Sequence, residues 1–158
     1  MDKIYVGKIV STHGIKGEIK ILSDFEFKDR VFIVGNKLII DDIRYEIKSY
    51  RHHKTYEMVT LNDYKDINEV LFLMKKKVYF DKDDLVLDDN EILDDELITY
   101  KVLTSDGKKG IIKEIFFASP SNKVIRVLFE KEVLIPFSMV KEISKDKKEI
   151  IVELIEGM

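Results

Sequence analysis

The side chains limit the chemistry open to this 158-residue chain, which has three histidines and no cysteine. Without thiols there can be no disulfide, no thiolate metal site and no cysteine nucleophile. His52 and His53 are neighbours, and in an extended segment their rings point to opposite faces, a poor geometry for sharing one metal ion. His13 could act as a base, yet no serine near it has a recognisable nucleophile setting. Paired-carboxylate, zincin, dinucleotide-binding and kinase patterns are missing as well. What these residue types do support is contact. His13, Lys16 and the bare backbone of Gly14 and Gly17 share one expected loop, and Arg51, His52, His53 and Lys54 share another. If a small barrel brings the two loops to one end, they form a cationic, hydrogen-bonding patch suited to RNA phosphate or to an acidic protein face. No enzyme, metal site or cofactor is expected.

The elements that must position these residues are strands. Ile4-Tyr5-Val6-Gly7-Lys8-Ile9-Val10 precedes the glycine loop, and Glu18-Ile19-Lys20-Ile21-Leu22 follows it with alternating polar and apolar residues. Glycine takes positive φ at little cost, so Gly14 and Gly17 predict a tight exposed turn. A phosphate-cradling P-loop needs four residues between its glycines and a helix after them, and a KH-type clamp joins two helices; neither fits a strand–loop–strand. Phe25 and Phe27 anchor a polar surface connection, and further strands are expected at residues 31–40, 44–51 and 56–61. Ile67, Val70, Leu71 and Met74 then fall at helical spacing, which predicts one short helix with Asp63 or Asp66 as N-cap and Lys75-Lys76-Lys77 in its last turn. Val78-Tyr79-Phe80 closes the segment as a strand.

Between residues 81 and 96 stand nine acidic residues and one basic one, against a net charge of −3 for the whole chain. Like charges at this density resist burial, so this stretch reads as a connector; a calcium loop is disfavoured because the order of its carboxylates is wrong. The segments on either side are mildly basic, which permits nucleic-acid contact without specifying it. A second β pattern follows, with a hairpin at Asp106-Gly107, a turn around Pro120 and a strand that Pro136 must end or hold at an edge. Composition (45% hydrophobic, 36% charged) suits a folded chain with a core, and no run approaches the length of a membrane helix. The expected protein is all-β and cytoplasmic, with no membrane contact. It comprises an N-terminal barrel with one short helix (1–82), an acidic linker (83–91) and a second barrel (92–158).

The whole pattern resembles a known family. Gly7-Lys8-Ile9-Val10 with Thr12-His13-Gly14-Ile15-Lys16-Gly17-Glu18-Ile19-Lys20-Ile21, then Arg51-His52-His53-Lys54, Asp88-Asp89-Asn90-Glu91 before Leu97-Ile98, Gly110, Asn122, Ile135-Pro136-Phe137 with Val140 and Ile143, and Glu156-Gly157-Met158 is similar to the bacterial RimM family of ribosome maturation factors. The resemblance implies a six-stranded N-terminal barrel of the translation-protein type and a C-terminal PRC-barrel. It also implies a non-enzymatic, monomeric assembly chaperone that binds the head of the immature small (30S) ribosomal subunit through its nineteenth protein and adjacent 16S rRNA, promoting processing of that RNA. Where many members carry two adjacent tyrosines this chain has Ile92-Leu93, so an apolar partner contact is expected there and a hydroxyl contact is not. A general RNA-binding or protein-adaptor module without a dedicated ribosomal partner is the alternative reading.

Overall fold

Alternation of buried and exposed residues organises the first half of the chain into a closed six-stranded barrel. The structure, a computed structural model, describes residues 2–154. The strands are β1 (Lys3–His13), β2 (Glu18–Leu22), β3 (Lys37–Ile40), β4 (Ile43–His53), β5 (Tyr56–Leu61) and β6 (Lys77–Asp81). They pair in the order β1-β2-β5-β4-β3-β6, and β6 returns to β1, so no edge is left open. Ile9, Ile19, Ile21, Leu38, Ile40, Ile47, Val59, Leu61, Val78 and Phe80 fill the interior. Burying each such side chain contributes about 1.5–3 kcal/mol, which is what fixes the register. Register shifts in β1 near Gly7 and Ser11, and in β4 between Ile47 and Ser49, supply the local twist that closure demands. At Gly7 a side chain is impossible without movement, since a Cβ would lie 2.8 Å from the Leu22 carbonyl oxygen.

Two expectations for this half need correction. The segment 67–74 is not one α-helix but two successive 3-10 turns, Ile67–Glu69 and Leu71–Leu73. Asp66 does cap the first, accepting from the Asn68 N–H at 2.7 Å. The barrel fully buries Val70 and Leu73, three residues apart as a 3-10 period requires, and Met74 packs against the same core half-buried. Lys75-Lys76-Lys77 is therefore not a helix end: Lys75 has φ +67° and donates its N–H to the Ile9 carbonyl, Lys76 pairs with Asp41, and Lys77 opens β6. The connection after β2 contains a single helical turn, α1 (Lys28–Val31), that puts Val31 and Phe32 into the core where an apolar strand was expected.

The contacts separate residues up to Val86 from those from Leu87 on. In the second unit the strands are β7 (Lys101–Thr104), β8 (Lys109–Ser119), β9 (Asn122–Leu128), β10 (Glu132–Pro136), β11 (Val140–Ser144) and β12 (Glu149–Val152), ordered β10-β9-β8-β7-β12-β11. The expected hairpin at Asp106-Gly107 joins β7 to β8, with Gly107 at φ +89°, and Pro136 ends an outer strand of the order. One helical turn, α2 (Asp94–Leu97), stands in the acidic stretch and buries Leu97. Residues 156–158, part of the family resemblance, lie outside the described residues.

Candidate functional site

The glycine loop is built as its sequence predicts and is held by a neighbour that the sequence does not reveal. Gly14 and Gly17 have φ +69° and +88°. At Gly17 a Cβ would also approach the Asp66 backbone nitrogen to 3.3 Å, and the Ile67 N–H donates to the Ile15 carbonyl at 2.9 Å. The 64–67 segment thus braces the loop from behind, leaving Ile15 76% exposed and Lys16 open to solvent. His13 is the last residue of β1, paired with Glu18, rather than a loop residue.

Alternation along β4 splits the second cationic group between two faces. Arg51 and His53 share the outer face with Ser49, whereas Tyr50 and His52 share the other. Outside, Arg51 grips Glu18 in a bidentate pair, Nε to Oε2 at 2.9 Å and Nη2 to Oε1 at 2.8 Å. The His53 ring lies 6.0 Å from that of His13. The two hairpins therefore meet, and His13, Glu18, Arg51 and His53 form one cluster. Lys20 extends it from the same face of β2, its ammonium 5.2 Å from the centre of the Tyr56 ring.

The charges in this cluster are unequal. Arg51 holds the Glu18 carboxyl below its ordinary 4.5, so the guanidinium is already neutralised within the protein. Burial first, then repulsion from Arg51, Lys54, His13 and Lys20, holds the His53 imidazole below 6.5, leaving it neutral near pH 7. Among the described residues, Lys16 and Lys54, the latter at φ +57° in the turn, are exposed cations near this cluster with no ion pair, open to a partner. Two hollows of about 420 and 500 Å³ share Lys16 and Thr60. They run from His13 past Lys16 to Lys48, Tyr64 and Lys65, and sequence reasoning picked out none of these last three.

On the other face His52 belongs to a different structure. Glu57 is 2% exposed, accepts from the Tyr50 hydroxyl at 2.7 Å, has His52 Nδ1 3.1 Å from both of its oxygens, and lies 4.0 Å from the Lys28 ammonium. Burial and this carboxylate push the Tyr50 phenol up to about 12. Carboxylate, phenol and imidazole satisfy one another, so His52 is tied to Glu57 through Nδ1 while 54% of its side chain stays exposed. Ile92 is committed to packing: it is 3% exposed in the core of the second unit, and only Leu93 of the pair stays partly exposed. Among the described residues no group of three or more His, Asp or Glu is placed to hold a metal ion. No helix among them is long and apolar enough to cross a membrane.

Comparison with known proteins agrees with this architecture. The family model for the RimM N-terminal domain matches residues 4–85, and that for the PRC-barrel domain matches residues 89–158. The curated "Ribosome maturation factor RimM" of Staphylococcus aureus strain NCTC 8325 is 36% identical, the match covering 99% of this chain and 98% of the relative. A crystal structure of a RimM-type 16S ribosomal RNA processing protein from Pseudomonas aeruginosa is similar with a TM-score of 0.49 at 22% identity, covering 99% of this chain and 100% of that one. The solution structure of the RimM N-terminal domain from Thermus thermophilus has a TM-score of 0.47 at 16% identity, covering 55% of this chain and 98% of that one. With one domain model matched across each half and a curated relative matched end to end, the chain belongs to the RimM family.

Proposed function

We propose that this protein is a cytoplasmic ribosome maturation factor that binds the head of the immature small subunit, through the nineteenth small-subunit protein and adjacent 16S rRNA, and promotes processing of that RNA. It acts as a monomer and works by contact rather than covalent chemistry. The observation that carries this reading is the convergence of two hairpins on one outer face, where Lys16 and Lys54 remain available while Arg51 and Glu18 hold the frame. Exposed lysines beside hydrogen-bonding backbone suit phosphate oxygens, which position a protein on RNA without reading its sequence. Leu93, ahead of the acidic Asp94 and Asp95, offers an apolar contact framed by negative charge to a basic ribosomal protein. Residues 83–91 serve as the linker between the domains 1–82 and 92–158.

Capture from lysate with the tagged full chain, with and without nuclease, tests the reading. Retention of the head protein after RNA digestion is the expected result. Loss of every ribosomal protein with the RNA would indicate a general RNA-binding module instead.

A further inference from the structure

The sheet of the second unit gathers several strand ends in one place. β7 runs parallel to β12, and β8, β9 and β10 alternate in direction from β7. The end of β7, the start of β8, the end of β9, the start of β10 and the end of β12 therefore lie at the same end of the sheet. The turns there frame a cleft of about 550 Å³ lined by Lys108, Lys109, Lys131, Phe129 and Val133, with Glu130 as its carboxylate. Among the described residues none of these three ammonium groups has an ion-pair partner, whereas Lys123, Arg126 and Lys141 of the same unit are each paired with a carboxylate. A neighbouring hollow of about 310 Å³ shares Lys109 and Phe129 and adds Lys101.

The aromatic wall is a fixed part of this cleft. Gly110 sits beneath it, and a Cβ there would lie 2.8 Å from a Phe129 ring carbon and 2.8 Å from Val127. Glycine at 110 is what lets the ring pack against β8 while part of it stays accessible.

The geometry points to a second binding site, one for a short single-stranded RNA segment, with the lysines on its phosphates and a base against Phe129. Lys109 and Lys131, with a Lys108 that also acts on the neighbouring Asp106 carboxylate, outweigh Glu130 and favour a polyanion. An ammonium is a compact point charge suited to phosphate oxygens. Cations flanking an accessible ring form the combination that holds single strands, because an unpaired base can turn onto the ring while its backbone tracks the charges. A duplex keeps its bases stacked and would use only the lysines.

The test is fluorescence anisotropy on the full chain with a labelled 12-nucleotide oligouridylate, inorganic polyphosphate and polyglutamate, titrated across salt concentrations. K109Q/K131Q should weaken oligonucleotide binding at least fivefold and lower the slope of log affinity against log salt by about 1.4, roughly 0.7 for each single-strand phosphate no longer neutralised. F129L should weaken the oligonucleotide but leave polyphosphate unaffected, and K109Q/K131Q should melt at the parent temperature. Unchanged affinity and slope in K109Q/K131Q would overturn the proposal. So would polyglutamate binding as tightly as the oligonucleotide and displacing it, since the cleft would then be one for acidic proteins. Subunit binding is read separately, so failure here leaves the ribosomal role standing and failure there leaves this site standing.

Discussion

At the residue scale, a period of two decides which cations face a partner. Arg51, one of the clearest phosphate ligands by type, is occupied by Glu18, whereas among the described residues Lys16 and Lys54 are exposed and have no ion pair. The pairing sets a pH response whose sign follows from the two shifts. His53 is held below 6.5 and Glu18 below 4.5 in the folded chain, so the unfolded chain binds protons more readily at both. Stability from His53 is present above pH 6.5 and lost as pH falls through its lowered value; that from Glu18 is present above 4.5 and lost further into acid. In R51Q the His53 ring should titrate closer to 6.5 than in the parent, followed by NMR of its ring protons. The shift should be partial, because burial is the larger cause; an unmoved midpoint would mean that Arg51 does not act on this ring. That His52 and His53 point apart was legible from their adjacency. That His52 meets a buried Glu57 was not, because the carboxylate lies across a strand pair whose register the sequence does not state.

At the element scale, the β pattern was legible because alternation is enforced by burial on one face of every barrel strand. The helical spacing at 67–74 misled for a physical reason. This segment must carry the chain across the barrel from β5 to β6, and a 3-10 turn rises about 2.0 Å per residue against about 1.5 Å for an α-helix. The one-turn helices α1 and α2 are too short to leave a period in the sequence. The glycine loop shows how an element combines local and distant demands. Gly14 needs only its positive φ, since nothing would meet a Cβ there, while Gly17 needs both that φ and the space beside Asp66. G14A should cost about 1–2 kcal/mol and G17A more, read as a larger fall in melting temperature. Equal losses would mean that the 64–67 segment does not brace the loop.

At the scale of the whole molecule, the acidic stretch marks a change of core rather than an absence of one. Leu85 packs on the first core, while Ile92 and Leu97 are buried in the second. Composition alone shows the charge but not which of the intervening apolar residues are anchors, so Ile92 looked as available as Leu93. We propose that the outer face of the first barrel joins the protein to an immature small subunit. Co-sedimentation of the full chain with purified immature small subunits, comparing the parent with K16Q/K54Q at matched salt, distinguishes this from a role for other surfaces. The parent should bind, and the double variant should bind about tenfold more weakly, the equivalent of about 1.4 kcal/mol, with an unchanged melting temperature. A parent that fails to co-sediment, or a folded K16Q/K54Q that binds as tightly as the parent, would contradict the claim.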